Sequence, residues 1–153
     1  MSDYQDRGRI AQHDGEIGQN IAQYELKRMG LEMIEPVYTP WKIVWSQKNG
    51  RRVPVKAFAV AKVSGDFRAI TPTGQSVLVE VKSRKDREAL RWSDLEPHQR
   101  EALQQHSEHG GLSLVVWVTE TGECMVMAWP IPGFGFRKSI SWDDAVDIQW
   151  TGV

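Results

Sequence analysis

The sequence predicts a β-sheet with helices packed on its faces, of the α/β or α+β class. Three observations carry that prediction. Apolar residues recur at helical spacing between Asp14 and Met29. Several apolar runs too short for helices follow, among them VLVEVKS (77–83) and LSLVVWV (112–118). Between those two runs lies a segment opened by Pro97 and closed by Gly110-Gly111, the punctuation of a helix. The 153 residues suffice for one domain with a core and not for two. The expectation is a single domain over 1–153, with residues 1–12 as a flexible N-terminal arm.

DGEIGQNIAQYELKRM (14–29) carries two apolar stripes, Ile17/Ile21/Tyr24 and Ala22/Leu26/Met29, and Gly30 follows as a stop. Gly15 and Gly18 each weaken the helix by about 1 kcal/mol relative to alanine, so a close approach to the backbone is expected there. LEMIEPVY (31–38) reads as a strand ending at a proline. KIVWSQKNGRRVPVKAFAVAKV (42–63) reads as extended segments around an Asn49-Gly50 turn. A hairpin occupies 64–85, and Ser93–Glu96 forms a capping turn before a helix over 97–109. CMVMAW (124–129) is a further strand after a Thr121-Gly122 turn, and Ser141 caps a short last helix. The seven tryptophans are expected mostly in the core or on sheet faces.

Composition narrows the function classes. No run of about 18 apolar residues is present, and MSDYQDRGRIAQHDGE lacks a signal peptide's apolar stretch. The expected location is the cytoplasm, with no membrane partner. One cysteine, Cys124, excludes an internal disulfide and reads as a small core residue. His98, His106 and His109 share one helix with no cysteine nearby, which is not a structural zinc pattern. There is no glycine-rich phosphate loop and no nucleophile elbow. Net charge is −1, but residues 47–92 carry 11 Lys+Arg against 4 Asp+Glu. A basic middle third suits a polyanion.

The chemistry concentrates in the hairpin. Side chains alternate along a strand, so Val77, Val79 and Val81 face one way while Leu78, Glu80 and Lys82 face the other. A three-residue loop at Pro72-Thr73-Gly74 pairs Thr71 with Gln75 and sets Asp66 opposite Glu80. Opposed residues bring their Cβ atoms to about 5 Å. Two carboxylates there repel by roughly 3 kcal/mol at an effective dielectric of about 20. Either one is protonated or a cation lies between them. A hard divalent ion suits oxygen ligands, and the alternative is a surface hairpin with an ordinary Glu–Lys pair.

At these residues the chain resembles the PD-(D/E)xK nucleases, with Asp66 as the "D" and Glu80-Val81-Lys82 as the "E-x-K". Within that superfamily it is most similar to the Holliday junction resolvases of the RecU and archaeal Hjc types. GEIGQN resembles their first-helix glutamate motif, EPVYTPWKIV (35–44) the RecU-type segment before the basic region, and KAFAVAKVSGDF (56–67) the strand leading to the aspartate. VEVKSRK matches the archaeal type, and PHQREAL (97–103) resembles the helix opening on His-Gln. Ser64-Gly65 stands where RecU-type proteins have a Ser/Thr pair.

The resemblance implies a restriction-endonuclease-like fold, a central mixed sheet of about five strands flanked by helices. It implies Mg²⁺-dependent phosphodiester hydrolysis, with Mn²⁺ able to substitute. Asp66, Glu80 and the Val81 carbonyl would hold the metal. Lys82 would orient water or stabilise the transition state, Glu16 would bind through water or position Lys82, and Gln99 would contact metal-bound water or DNA. Arg51, Arg52, Lys56, Lys62, Ser64, Arg68, Arg84 and Lys85 are the DNA contacts expected. A four-way junction has two-fold character, so a homodimer is expected, with CMVMAW and the Phe134/Phe136 loop as interface. The other functions weighed are a nuclease of the same fold cutting other DNA and a DNA-binding module without chemistry.

Overall fold

The computed structural model describes residues 3–59, 61 and 63–153. Its centre is a five-stranded sheet built from β1 (Glu32–Pro36), β4 (Phe67–Ile70), β5 (Ser76–Arg84), β7 (Leu112–Thr119) and β8 (Cys124–Ala128), adjacent in that order. Only β5 and β7 run parallel. Parallel neighbours need a long crossover, and the chain between them supplies one containing α2 (Pro97–Glu108).

Valine-rich strands at the centre are buried on both faces, which is why their sequences read as nearly continuous apolar runs. The alternation expected in β5 holds. Val77, Val79 and Val81 join Leu114, Val116 and Val118 under Ala22 and Leu26 of α1 (Asp3–Arg28). Leu78 joins Val115, Trp117, Met125 and Met127 on the opposite face, beneath Leu95 and Leu103. Glu80 and Lys82 share that second face by parity.

The first helix starts at Asp3 rather than Asp14, so it takes in most of the segment read as an arm. Of its two apolar stripes, the sheet selects Ala22/Leu26 and leaves Ile17 and Tyr24 exposed. Gly18 shows why glycine is needed. A Cβ there would lie 2.0 Å from Ser83 Oγ and 3.3 Å from Ser83 Cβ. Gly15 has nothing within 4 Å and no such reason.

Between β1 and β4 the chain forms a separate hairpin, β2 (Trp41–Lys48) and β3 (Arg51–Ala59), closed at Asn49-Gly50 with φ of 51° and 74°. Those angles match the primed turn that suits twisted hairpins. Almost every residue in it is exposed. Trp41 and Trp45 are therefore exposed on the faces of this small sheet, whereas Trp117 and Trp129 are core residues.

The helix α3 (Trp142–Asp147) is capped by Ser141, whose Oγ accepts from the Asp144 N–H at 3.1 Å. A small pair, β6 (Leu90–Arg91) with β9 (Ser139–Ile140), was not foreseen. The strand β8 is not available as an interface. Met125, Val126 and Met127 are buried within the chain, and the Trp150 N–H closes its outer edge on Val126 O at 2.7 Å. Phe134 packs edge-on against Trp92 and Trp129, whereas Phe136 is fully exposed. Burial, then nearby Glu25, push the Cys124 thiol up to about 12, so it is inert.

Candidate active site

The hairpin register is the one the loop predicts. Thr71 N–H donates to Gln75 O at 3.0 Å, and the pairs run from Ile70↔Ser76 to Phe67↔Val79. There β4 ends while β5 continues to Arg84, so one edge of Glu80–Arg84 has no strand beside it. Asp66 takes that edge with its side chain. Its Oδ2 accepts the Val81 N–H at 2.7 Å.

The last pair departs from the simple register. Asp66 N–H bonds to Val79 O at 2.7 Å, and Asp66 O accepts from Val37 N–H at 2.9 Å. Gly65, at φ +88°, turns the chain so that its own N–H donates to Glu80 Oε2 at 3.2 Å. Backbone on both sides thus holds Asp66 in place. A residue in a strand sends its N–H and C=O to the same edge, so the Val81 carbonyl also faces this gap.

Glu80 is 3 % exposed, and besides Gly65 its partners are Lys82 of β5 and Gln99 of α2. Lys82 Nζ lies 3.0 Å from Oε1. The Gln99 Nε2 donates to the same oxygen. Gln99 Oε1 accepts from Lys82 Nζ at 2.9 Å and from Glu96 N–H at 2.8 Å. The second contact is half of the capping box of α2, with Glu96 rather than Ser93 at the cap. Ser64 Oγ donates to His98 O at 3.2 Å, tying the loop before Asp66 to the start of α2.

On the other side stands a residue that the sequence reading passed over. Gln19 Nε2 donates to Asp66 Oδ1 at 3.0 Å. Its spacing to Ala22 and Leu26 (i+3, i+7) was a usable signal once that stripe is known to be the buried one. Glu16 lies one turn earlier on the exposed flank of the helix.

The basic residues divide. Arg51, Arg52 and Lys56 are exposed on the β2–β3 hairpin, with Arg52 over the Trp45 ring at 5.6 Å and Lys56 over Phe58 at 5.9 Å. Lys85 is exposed beyond the end of β5, and Arg68 is exposed on β4 opposite Leu78. Arg84 is ion-paired with Asp94, which competes with the DNA contact expected of it. Lys62 lies outside the described residues.

Burial, then the neighbouring Asp66, push the Glu80 carboxyl up to about 7 against the pull of Lys82. Burial raises Asp66 too, opposed by the Val81 N–H, Lys82 and Gln19. Two acids whose proton affinity rises on burial, one of them further raised by the other, are short of positive charge. Among the described residues, no group of three His, Cys, Asp or Glu could hold a metal. A cation here would rest on two carboxylates, the Val81 carbonyl and water. That hard oxygen set fits Mg²⁺, which typically keeps several waters.

A mixed five-stranded sheet flanked by helices, with Asp, Glu and Lys gathered where its central strand outruns a neighbour, defines a nuclease-like fold of the PD-(D/E)xK type. The family model for Recombination protein U, RecU, matches residues 9–130, and the chain belongs to this family of Holliday junction resolvases. No curated protein matches the sequence. Among the described residues, no helix is long and apolar enough to cross a membrane.

Proposed function

We propose that the chain is a Mg²⁺-dependent endonuclease that binds four-way DNA junctions and resolves them by paired, symmetric phosphodiester hydrolysis. One observation carries this reading: Asp66, Glu80 and Lys82 converge at the open edge of β5, tied together by Val81 N–H and Gln99. Family membership supports the substrate.

Asp66, Glu80 and the Val81 carbonyl would hold Mg²⁺, with Mn²⁺ a substitute. Once bound, the ion polarises a phosphoryl oxygen and lowers the pKa of water. Lys82 presents an ammonium beside the acids, where negative charge develops as water adds to phosphorus and the bond to the leaving oxygen breaks. Gln99 holds that ammonium in place and spares Lys82 the entropy of a free side chain. The exposed Arg51, Arg52, Lys56, Arg68 and Lys85 would take phosphates without reading sequence. Two nicks related by two-fold symmetry call for two copies of the chain, a homodimer.

The test is a labelled four-way junction and a matched linear duplex, each with Mg²⁺ or EDTA. Paired nicks in the junction alone, lost in Glu80→Ala, are expected. Equal cutting of both substrates would indicate a general duplex nuclease. Binding without cutting, unchanged in Glu80→Ala, would indicate a binding module.

A further inference from the structure

Gln19 is a half-buried amide on a long helix, and its Nε2 donates to a carboxylate. Both Asp66 oxygens accept hydrogen bonds among the described residues, Oδ2 from Val81 N–H at 2.7 Å and Oδ1 from Gln19 Nε2 at 3.0 Å. The first bond alone leaves the carboxylate free to swing about it; the second fixes its plane. Gln19 itself is placed by its neighbour. Because Gly18 has no Cβ, the helix backbone seats directly on Ser83 of β5, and the next residue arrives at Asp66. Ala22 and Leu26, fully buried, lock the following turns.

The residue type matters. A glutamate at 19 would set a third acid beside Asp66 and Glu80. A lysine would supply a fixed positive charge that competes with a cation. Glutamine donates a hydrogen bond while leaving the negative charge for an ion. We propose that Gln19 is a positioning residue, which orients the Asp66 carboxylate for a divalent cation from outside the ligand set. The inference rests on the metal site proposed above and adds a supporting residue from α1. Partners of this kind typically change metal affinity by about 10–100-fold when removed.

The experiment titrates Mn²⁺ alone into the intact protein, followed by electron paramagnetic resonance, with thermal melting alongside. Asp66→Asn is the control for the site. Gln19→Leu and the near-isosteric Gln19→Met are expected to weaken Mn²⁺ binding by about tenfold or more, with melting close to wild type. The Mn²⁺ concentration for half-maximal junction cleavage should shift equally, and saturating metal should restore the rate. Gly18→Ala should give the same shift with Gln19 in place, and adding Ser83→Gly should reverse it. Wild-type Mn²⁺ affinity in both Gln19 variants, while Asp66→Asn has lost binding, overturns the inference. So does loss of the melting transition in both, which would make Gln19 structural. Mn²⁺ binding unchanged in Asp66→Asn would instead overturn the metal site itself.

Discussion

Gln99 and Glu80 meet where α2 abuts β5, the amide Nε2 donating to a carboxylate oxygen while the amide oxygen accepts from the Glu96 N–H and from Lys82. One side chain therefore closes a helix end and organises a charged pair. Gln99→Leu should cost about 1 kcal/mol of stability, the usual loss with a cap. It should also slow cleavage by more than tenfold, since Lys82 loses its anchor. Urea denaturation and single-turnover cleavage check both, and junction binding in EDTA should not change.

Glu80 makes stability depend on pH. Below about pH 4.5 the acid is protonated in folded and unfolded chains alike and contributes nothing. Between 4.5 and 7 the unfolded chain ionises first, so stability falls as pH rises. The rise from 4.5 to about 7 corresponds to roughly 3 kcal/mol. Glu80→Gln should therefore melt higher than wild type at pH 8, with the gap closing near pH 4. Millimolar Mg²⁺ should raise the melting temperature of wild type at pH 8 and leave that of Glu80→Gln unchanged.

Lys82 Nζ lies 3.0 Å from Glu80 Oε1. Lys82→Met should lower the single-turnover cleavage rate by about 10²–10³-fold, the scale of one lost electrostatic donor, while the junction still binds. Lys82→Arg should not restore the rate, because a guanidinium fork does not fit the place of a point charge held by one amide oxygen.

Arg51 is exposed on the β2–β3 hairpin, and Lys85 is exposed beyond the end of β5. Arg51→Ala and Lys85→Ala should each reduce the slope of log binding constant against log salt by about 1. Melting temperatures should stay near wild type, as for exposed substitutions generally. Fluorescence anisotropy with a junction over a salt series measures this.

Much of the site was legible because local rules governed it. The Pro72-Thr73-Gly74 loop fixed the pairing of β4 with β5, and period-two alternation assigned Leu78, Glu80 and Lys82 to one face. What the sequence concealed depended on contacts between distant segments. The rotation of α1 against the sheet decided between two apolar stripes, and with it brought Gln19 to Asp66. Arg84 finds Asp94 only because a short helical turn packs back along β5. CMVMAW looked like a surface for a partner because nothing local says that Trp150 returns to cover it. The turn at Gly65, which moves the aspartate off its expected backbone pair, comes where β4 ends, and no spacing encodes that.

The margins of the sheet carry a last consequence. The strand β8 is closed by Trp150, and β1 is a short outer strand with Glu32, Glu35 and Pro36 and an interrupted register, all devices that discourage further strand addition. Two copies of this chain would thus not extend the five-stranded sheet through either of its outer strands. Separation of such a pair would leave each sheet whole, so dilution should dissociate the assembly without unfolding its members.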